Sequence, residues 1–189
     1  MIGRPARCLL VWLMAIELAA CSGGTAGAPA PAEITSDAVA EFCGMLLTEH
    51  AGPKAQIFLQ GESNPHWFAS VHDAFAYTML LEQPGQITAM YVTDMAKAKN
   101  WDQPEAGTWV EAHKAVFVIA SRRQGGMDED EAVPFSERPA AAAFAGQYGG
   151  RLVSFADMPR SYILPGADAG SSERDAGRNR LADRRGNSP

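Results

Sequence analysis

The chain has 189 residues, of which 16 are Lys or Arg and 22 are Asp or Glu, so its formal net charge at pH 7 is −6. Phosphate contacts depend on Lys and Arg, and this acidic balance therefore argues against a protein that binds nucleic acid. It also gives no reason to expect adhesion to anionic lipid head groups.

The N-terminus has the pattern of a bacterial lipoprotein precursor. Arg4 and Arg7 precede an apolar run over residues 8–20, which is too short for a spanning helix of ~20 residues. A basic start, a short apolar core and small residues before a cut site are typical of a secretory signal peptide. Residues 18–21 read Leu-Ala-Ala-Cys, which matches the lipobox. We therefore predict that residues 1–20 are cleaved and that Cys21 is lipidated.

The residue after Cys21 is Ser22 rather than Asp, which in Gram-negative bacteria resembles the pattern sorted to the outer membrane. We expect a lipid-anchored protein of the cell envelope that faces the periplasm. Two or more acyl chains hold a protein stably at a bilayer, so membrane contact is expected through the lipid anchor only. Glu17 inside the apolar run departs from the lipoprotein precursor pattern, and the alternative is an ordinary signal peptide with a chance cysteine.

Composition divides the mature chain into three parts. Residues 21–36 contain the lipidated cysteine and a spacer of Gly, Ala, Pro, Ser and Thr, which predicts a flexible linker. Residues 160–189 are rich in Gly, Arg, Asp, Ser and Asn with few apolar anchors, which predicts a disordered tail. Residues 37–159 then form the folded part, close to the usual size of one domain.

A weak internal repeat in this domain predicts two related ββαβ units. In each half a Lys-Ala pair precedes an apolar strand, a Phe precedes a helical stretch, and an Asp-Met pair follows the last strand. The units cover about residues 40–95 and 112–158, with helices at 69–82 and 137–148. One unit alone is too small to bury a good core. We therefore expect the two to pack together in an α+β fold, with helices on one face of small sheets.

Cys43 is the one cysteine expected to remain a thiol, since Cys8 leaves with the signal peptide and Cys21 is acylated. An odd cysteine in an exported protein is reactive, metal-bound or paired between molecules, or else a buried small hydrophobe. Residues 43–45, Cys-Gly-Met, offer a thiolate and a thioether, and such soft ligands select Cu(I). In an extended segment residues i and i+2 point to the same side, so Cys43 and Met45 would face one ion. The alternative is that Met45 packs in the core.

A second sulfur lies in residues 125–127, Gly-Gly-Met. Met127 in such a polar, Gly-rich loop is hard to explain as a core residue. Flexible glycines fit a ligand on a mobile loop, and an incidental methionine in a turn is the alternative. The acidic run that follows, residues 128–131, is most simply interpreted as a solvated loop.

Histidines supply the remaining candidate ligands, because neutral imidazole suits copper and zinc alike. His113 begins the predicted strand that leads toward Met127, and His50 follows the Cys43 segment. His66 and His72 are expected to be surface or helix residues. No pair has the spacing of a zinc helix motif and there is no Cys-x-x-Cys, so structural zinc is not expected. No nucleophile elbow, phosphate loop or catalytic triad is found, and we do not expect an enzyme.

Several short motifs follow one another in a specific order between about residues 40 and 158. They are Phe42-Cys43-Gly44-Met45, Gly52-Pro53-Lys54-Ala55-Gln56-Ile57, Tyr91-Val92-Thr93-Asp94, Trp101, Ala115-Val116-Phe117-Val118, Gly125-Gly126-Met127, Phe144 and Gly149-Gly150. Together with the lipobox, this order resembles the NosL family, the accessory lipoproteins of nitrous oxide reductase.

This resemblance implies a Cu(I)-binding chaperone that supplies the copper-sulfide centre of nitrous oxide reductase and works beside an ABC-type maturation complex. It also implies a fold similar to that of the organomercurial lyase MerB. Cys43, Met45 and Met127 match the family's sulfur motifs, whereas no motif places the histidine ligand, and His113 is preferred over His50. Lyase chemistry is not expected, because it needs two cooperating thiols. The alternative function is a metal-free lipoprotein scaffold or partner-binding module of the envelope.

Overall fold

The computed structural model describes residues 27–82 and 84–166. The predicted signal peptide, Cys21 and most of the predicted C-terminal tail lie outside these residues. No helix among the described residues is long and apolar enough to cross a membrane. In chain order the elements are β1 (Ala55–Leu59), β2 (His66–Phe68), α1 (Val71–Leu80), β3 (Ile87–Thr93), β4 (Trp109–Glu111), β5 (Val116–Ile119), β6 (Val133–Phe135), α2 (Arg138–Tyr148), β7 (Arg151–Ser154) and α3 (Arg160–Ile163).

The strands form two antiparallel sheets, one in the order β2-β1-β3-β4 and one in the order β6-β5-β7. The first unit runs β1, β2, α1, β3, and the second unit repeats that order as β5, β6, α2, β7. The predicted α+β fold of two related ββαβ units is therefore confirmed. The edge strand β4 is an addition that the sequence did not predict.

The two long helices begin and end at local signals in the sequence. The hydroxyl of Ser70 accepts a hydrogen bond from the backbone N–H of Asp73, which caps the start of α1. Gly149, with a φ of +77°, ends α2, as expected for a position that favours glycine. The helix α1 is four residues shorter than predicted, and α2 is one residue shorter.

The two units share one buried core and one polar joint. Phe75 of α1 meets Phe117 of β5 edge to face, with ring centroids 5.0 Å apart. The buried carboxylate of Asp94, just after β3, accepts a hydrogen bond from the backbone N–H of Ser136 at 2.8 Å. Because these contacts join one unit to the other, the units form a single packed domain.

Residues 27–36, within the predicted flexible linker, lie against the first sheet, and we call them the N-terminal strap. The backbone N–H and carbonyl of Ala32 bond the side chain of buried Gln56 at 2.8 and 3.0 Å. The Tyr91 hydroxyl donates to the carbonyl of Pro29 at 2.6 Å. This part of the linker is therefore bound to the domain, because strand side chains satisfy its backbone polar groups.

The fold also continues past residue 159, where the sequence predicted that the domain ends. The short helix α3 packs against α1, and its Ile163 is buried. The signal that sequence analysis passed over is the apolar pair Ile163 and Leu164 within an otherwise polar tail.

Candidate metal site

Residues 39–46 form a tight hairpin with Cys43 near its tip. The Ala40 N–H donates to the Met45 carbonyl at 2.9 Å, and the Gly44 N–H donates to the Ala40 carbonyl at 2.9 Å. Gly44 has a φ of +67°, a conformation that glycine adopts without steric cost. The 43–45 segment is not extended, because the chain reverses here, so the strand alternation that would place Cys43 and Met45 on one side does not apply.

The thiol of Cys43 lies beside the imidazole of His50. Its Sγ atom is 3.7 Å from Nε2 of His50, and His50 is 5% exposed at the end of a one-turn 3-10 helix, Leu47–Glu49. Zinc binds sulfur at about 2.3 Å and nitrogen at about 2.0 Å. With bonds of these lengths and ordinary bond angles, a sulfur and a nitrogen on the same ion are about 3.5–3.8 Å apart. The observed spacing therefore fits one ion shared by both side chains.

His113 has a different environment. It lies in a 3-10 turn, Ala112–Lys114, before β5 rather than in the strand itself. Its Nδ1 is 3.2 Å from Oε1 of Glu111, and its ring packs on Phe155 with centroids 4.1 Å apart. The geometry thus reverses the preference drawn from the sequence, because His50 is the histidine that reaches the thiol.

The loop that carries Met127 packs directly on the turn that carries His50. A β-carbon added to Gly126 would lie 2.7 Å from the carbonyl oxygen of Ala51 and 2.9 Å from Cβ of His50. Glycine is the residue that allows such a close backbone approach. Gly126 therefore serves to join two chain segments, which differs from the mobile hinge expected from the sequence.

The two methionines remain partly exposed near this junction. Met127 is 43% exposed and Met45 is 46% exposed. Met127 follows the glycine that touches His50, whereas Met45 stays near the thiol through the short hairpin. Both methionine residues are thus partly open to solvent.

The described residues contain no group of three or more His, Cys, Asp and Glu side chains placed to hold a metal ion. Cys43 and His50 supply two such groups, so a third ligand from the described residues would be of another type. A thioether is the soft donor at hand, and thiolate, imidazole and thioether together suit Cu(I).

Two buried ionisable groups lie next to the segments that form the candidate site, and the sequence did not predict that either is buried. Lys54 is 3% exposed, and burial lowers its pKa to about 8. Glu131 is 1% exposed, and burial raises its pKa to about 8. Lys54 falls in the repeated Lys-Ala landmark, which was a signal of position although not of burial.

The acidic run 128–131 is only partly the solvated loop that was predicted, because Asp128 and Asp130 are exposed whereas Glu131 is buried. Oε1 of Glu131 accepts backbone N–H bonds from His72 at 3.0 Å and from Ala132 at 2.8 Å. The run of charges predicted exposure to solvent, but these two hydrogen bonds partly compensate for burial of the carboxyl group.

Comparison with known proteins gives consistent results. Residues 31–163 match the NosL family model. The chain is 43% identical over 169 residues to the copper-binding lipoprotein NosL of Achromobacter cycloclastes, covering 89% of this chain and 88% of the relative. The copper-binding lipoprotein NosL of Stutzerimonas stutzeri is 29% identical over 126 residues, which are 66% of this chain and 64% of the relative. The crystal structure of the copper chaperone NosL from Shewanella denitrificans superposes with a TM-score of 0.66 at 33% identity, covering 71% of this chain and 98% of that one.

Proposed function

The chain belongs to the NosL family, and from this premise we propose that it is a copper chaperone that holds one Cu(I) ion. The observation that carries the proposal is the 3.7 Å contact between the Cys43 thiol and the His50 imidazole. The Met127 loop, packed against His50, adds a thioether. Relatives described as a copper-binding lipoprotein and a copper chaperone support the choice of metal.

The ligand set suits a protein that must release its cargo. The Cys43 thiolate supplies the strong bond, and neutral His50 supplies a second. Met127, or Met45 from the hairpin, completes a low-coordinate site with a weaker thioether. Because Cys43 and both methionines are partly exposed, a ligand of an acceptor protein can bind the ion before the thiolate leaves. Copper then passes between proteins without entering solution.

The proposed destination is the copper-sulfide centre of nitrous oxide reductase, reached directly or through an ABC-type maturation complex. The proposed anchor is lipid on Cys21, in the outer membrane and facing the periplasm. Relatives that are named lipoproteins support a lipid anchor in the cell envelope. Anchoring two partners at one surface raises their effective concentration and so favours transfer.

The alternative, a metal-free partner-binding module, finds support in two large apolar side chains that are exposed, one of which adjoins Cys43. Phe42 is 49% exposed beside Cys43, and Leu80 is 61% exposed. Exposed apolar clusters commonly mark interaction sites. A copper chaperone also needs such a surface for its acceptor, so these residues favour docking without excluding copper.

Anaerobic Cu(I) titration of the mature chain against a competing chelator tests the proposal. Cys43→Ser is expected to lose tight binding, and Met127→Leu to weaken it. Met158→Leu makes the same change at a buried methionine and should leave the affinity unchanged. Equal affinities in wild type and Cys43→Ser would reject the copper site and leave the partner-binding module.

A further inference from the structure

Lys54 holds the turn that presents His50. Its Nζ donates to the carbonyl oxygen of Ala51 at 3.1 Å and to that of Gly52 at 2.6 Å, the two residues directly after His50. The backbone of Lys54 is fixed to β3, since its N–H donates to the Thr93 hydroxyl at 3.0 Å and its carbonyl accepts from the Thr93 N–H at 2.9 Å. The buried ammonium group therefore ties the His50 turn to the first sheet.

Glu129 holds the backbone that presents Met127. Its Oε2 accepts a hydrogen bond from the Met127 N–H at 2.9 Å, and its own carbonyl accepts one from the Gly125 N–H at 2.9 Å. Side-chain and backbone acceptors of one residue thus fix the loop on both sides of Gly126. Bonds from a carboxylate to a backbone N–H are stronger than neutral ones, so this turn is firmly oriented.

The two arrangements are joined electrostatically and sterically. Lys54 is attracted by Glu131 and Glu129, which opposes the lowering of its pKa by burial. Gly126 presses against Ala51, whose carbonyl is one of the acceptors of Lys54. A shift of either loop therefore disturbs the other.

The carboxyl groups of Glu129 and Glu131 meet beside Gly125. A β-carbon on Gly125 would collide with Oε1 of Glu129 and lie 3.2 Å from Oε2 of Glu131. Neither of these buried oxygens has a hydrogen-bond partner among the described residues. Buried carboxyl oxygens without a hydrogen-bond partner cost stability, so the fold maintains this arrangement at some expense.

We propose that Lys54 and Glu129 are positioning residues of the copper site, which preorganise the His50 imidazole and the Met127 thioether around the Cys43 thiol. This inference rests on the proposed copper function. Neither residue touches the ion: Lys54 acts through the carbonyls after His50, and Glu129 acts through the Met127 N–H. Preorganised ligands bind more tightly because less ordering remains to be done on binding.

The test compares Glu129→Ala with Glu129→Gln, which keeps an oxygen acceptor for the Met127 N–H. Asp130→Ala, at the exposed neighbour in the same loop, is the matched control. Outer-shell substitutions typically cost about 10–100-fold in metal affinity, and we expect that loss of Cu(I) affinity for Glu129→Ala, recovery in Glu129→Gln and no change in Asp130→Ala. X-ray absorption of Cu(I)-loaded Glu129→Ala should show one sulfur neighbour fewer than wild type.

A double variant separates positioning from general destabilisation. If Glu129 acts through the thioether, Glu129→Ala combined with Met127→Leu binds Cu(I) no more weakly than Met127→Leu alone. Lys54→Met, which removes the ammonium at similar length, should reduce the nitrogen count instead of the sulfur count. If Glu129→Ala fails to fold, as judged by circular dichroism, Glu129→Asp replaces it, since its shorter side chain cannot reach the same N–H.

Two results overturn the inference: wild-type affinity and sulfur count in Glu129→Ala, or additive losses in the double variant. Failure of the copper function itself is distinct, because the wild-type chain would then bind Cu(I) no better than Cys43→Ser.

Discussion

Gly126 lies so close to His50 that a β-carbon added to the glycine would be 2.9 Å from the Cβ of the histidine. This relationship brings two segments that are far apart in the chain to one place, since His50 also contacts the Cys43 thiol. The candidate site is thus a meeting of a hairpin, a turn and a loop, with the two sheets as its support.

Gly126→Ala should weaken Cu(I) binding and the fold together. The new methyl group would press on backbone atoms of Ala51, and overpacking of this kind costs about 1–3 kcal/mol. Gly146→Ala is the control, since its added carbon would meet nothing within 4 Å; inside α2 it should stabilise by about 0.5–1 kcal/mol. Thermal unfolding and Cu(I) competition measure both effects, and wild-type values for Gly126→Ala would refute the close approach.

Exchange of the two candidate histidines for glutamine should separate them clearly. His50→Gln removes the imidazole beside the thiol and is expected to weaken Cu(I) binding at least ~10-fold, as loss of a directly bound ligand exceeds loss of an outer-shell partner. His113→Gln removes a ring that is 60% exposed and paired with Glu111, so its affinity should equal that of wild type. The opposite pattern in competition titrations would restore His113 as the ligand.

The buried carboxyl group of Glu131 should make the apo-protein less stable as the pH rises from about 4.5 to about 8. Its pKa is raised from 4.5 to about 8 by burial, so the folded state binds more protons than the unfolded state within this window. Glu131→Gln has no such proton to lose. Its melting temperature, measured at pH 5 and pH 8, should fall less than that of wild type.

Other groups do not reverse this expectation. Burial lowers the pKa of His66, but its hydrogen bonds to Glu41 and Glu62 outweigh burial and raise it. Wild type and Glu131→Gln therefore both lose the stability that His66 contributes as the pH rises. The lowered pKa of Lys54, about 8, affects stability mainly above this window. Equal pH slopes in wild type and Glu131→Gln would show that folding does not raise the pKa of Glu131.

Release of the N-terminal strap should expose it to proteases. Gln56→Leu keeps the side-chain bulk but removes both hydrogen bonds to Ala32, so residues 27–36 should be cleaved faster in limited proteolysis. Tyr91→Phe removes a single bond, to the carbonyl of Pro29, and should have a smaller effect. Unchanged cleavage in Gln56→Leu would mean that the strap is held by other contacts.

Local patterns were sufficient to predict the repeated ββαβ order. Apolar periodicity defines α1 and α2, and the Lys-Ala and Asp-Met landmarks mark equivalent ends of strands in both units. The same landmarks conceal different environments, because Lys54 is buried whereas Lys114 pairs with Glu111 at the surface. A local motif does not encode what packs over it.

For the same reason, the sequence could suggest only part of the candidate site. Cys43 and Met127 were chosen as candidate ligands by residue chemistry and by glycine neighbours. The choice between His50 and His113 depended on tertiary contacts between segments, which spacing along the chain does not contain. Glu129 and Glu131 looked solvated because a run of charges is usually exposed, and only the fold reveals the backbone donors that hold them.

X-ray absorption at the copper edge of the mature chain loaded with one Cu(I) ion tests the central claim most directly. The expected first shell contains sulfur from Cys43 and Met127 and one nitrogen from His50. The nitrogen should disappear in His50→Gln, and one sulfur in Met127→Leu. A shell of nitrogen and oxygen alone, or one that neither substitution changes, would contradict a copper site built from the hairpin, the turn and the loop.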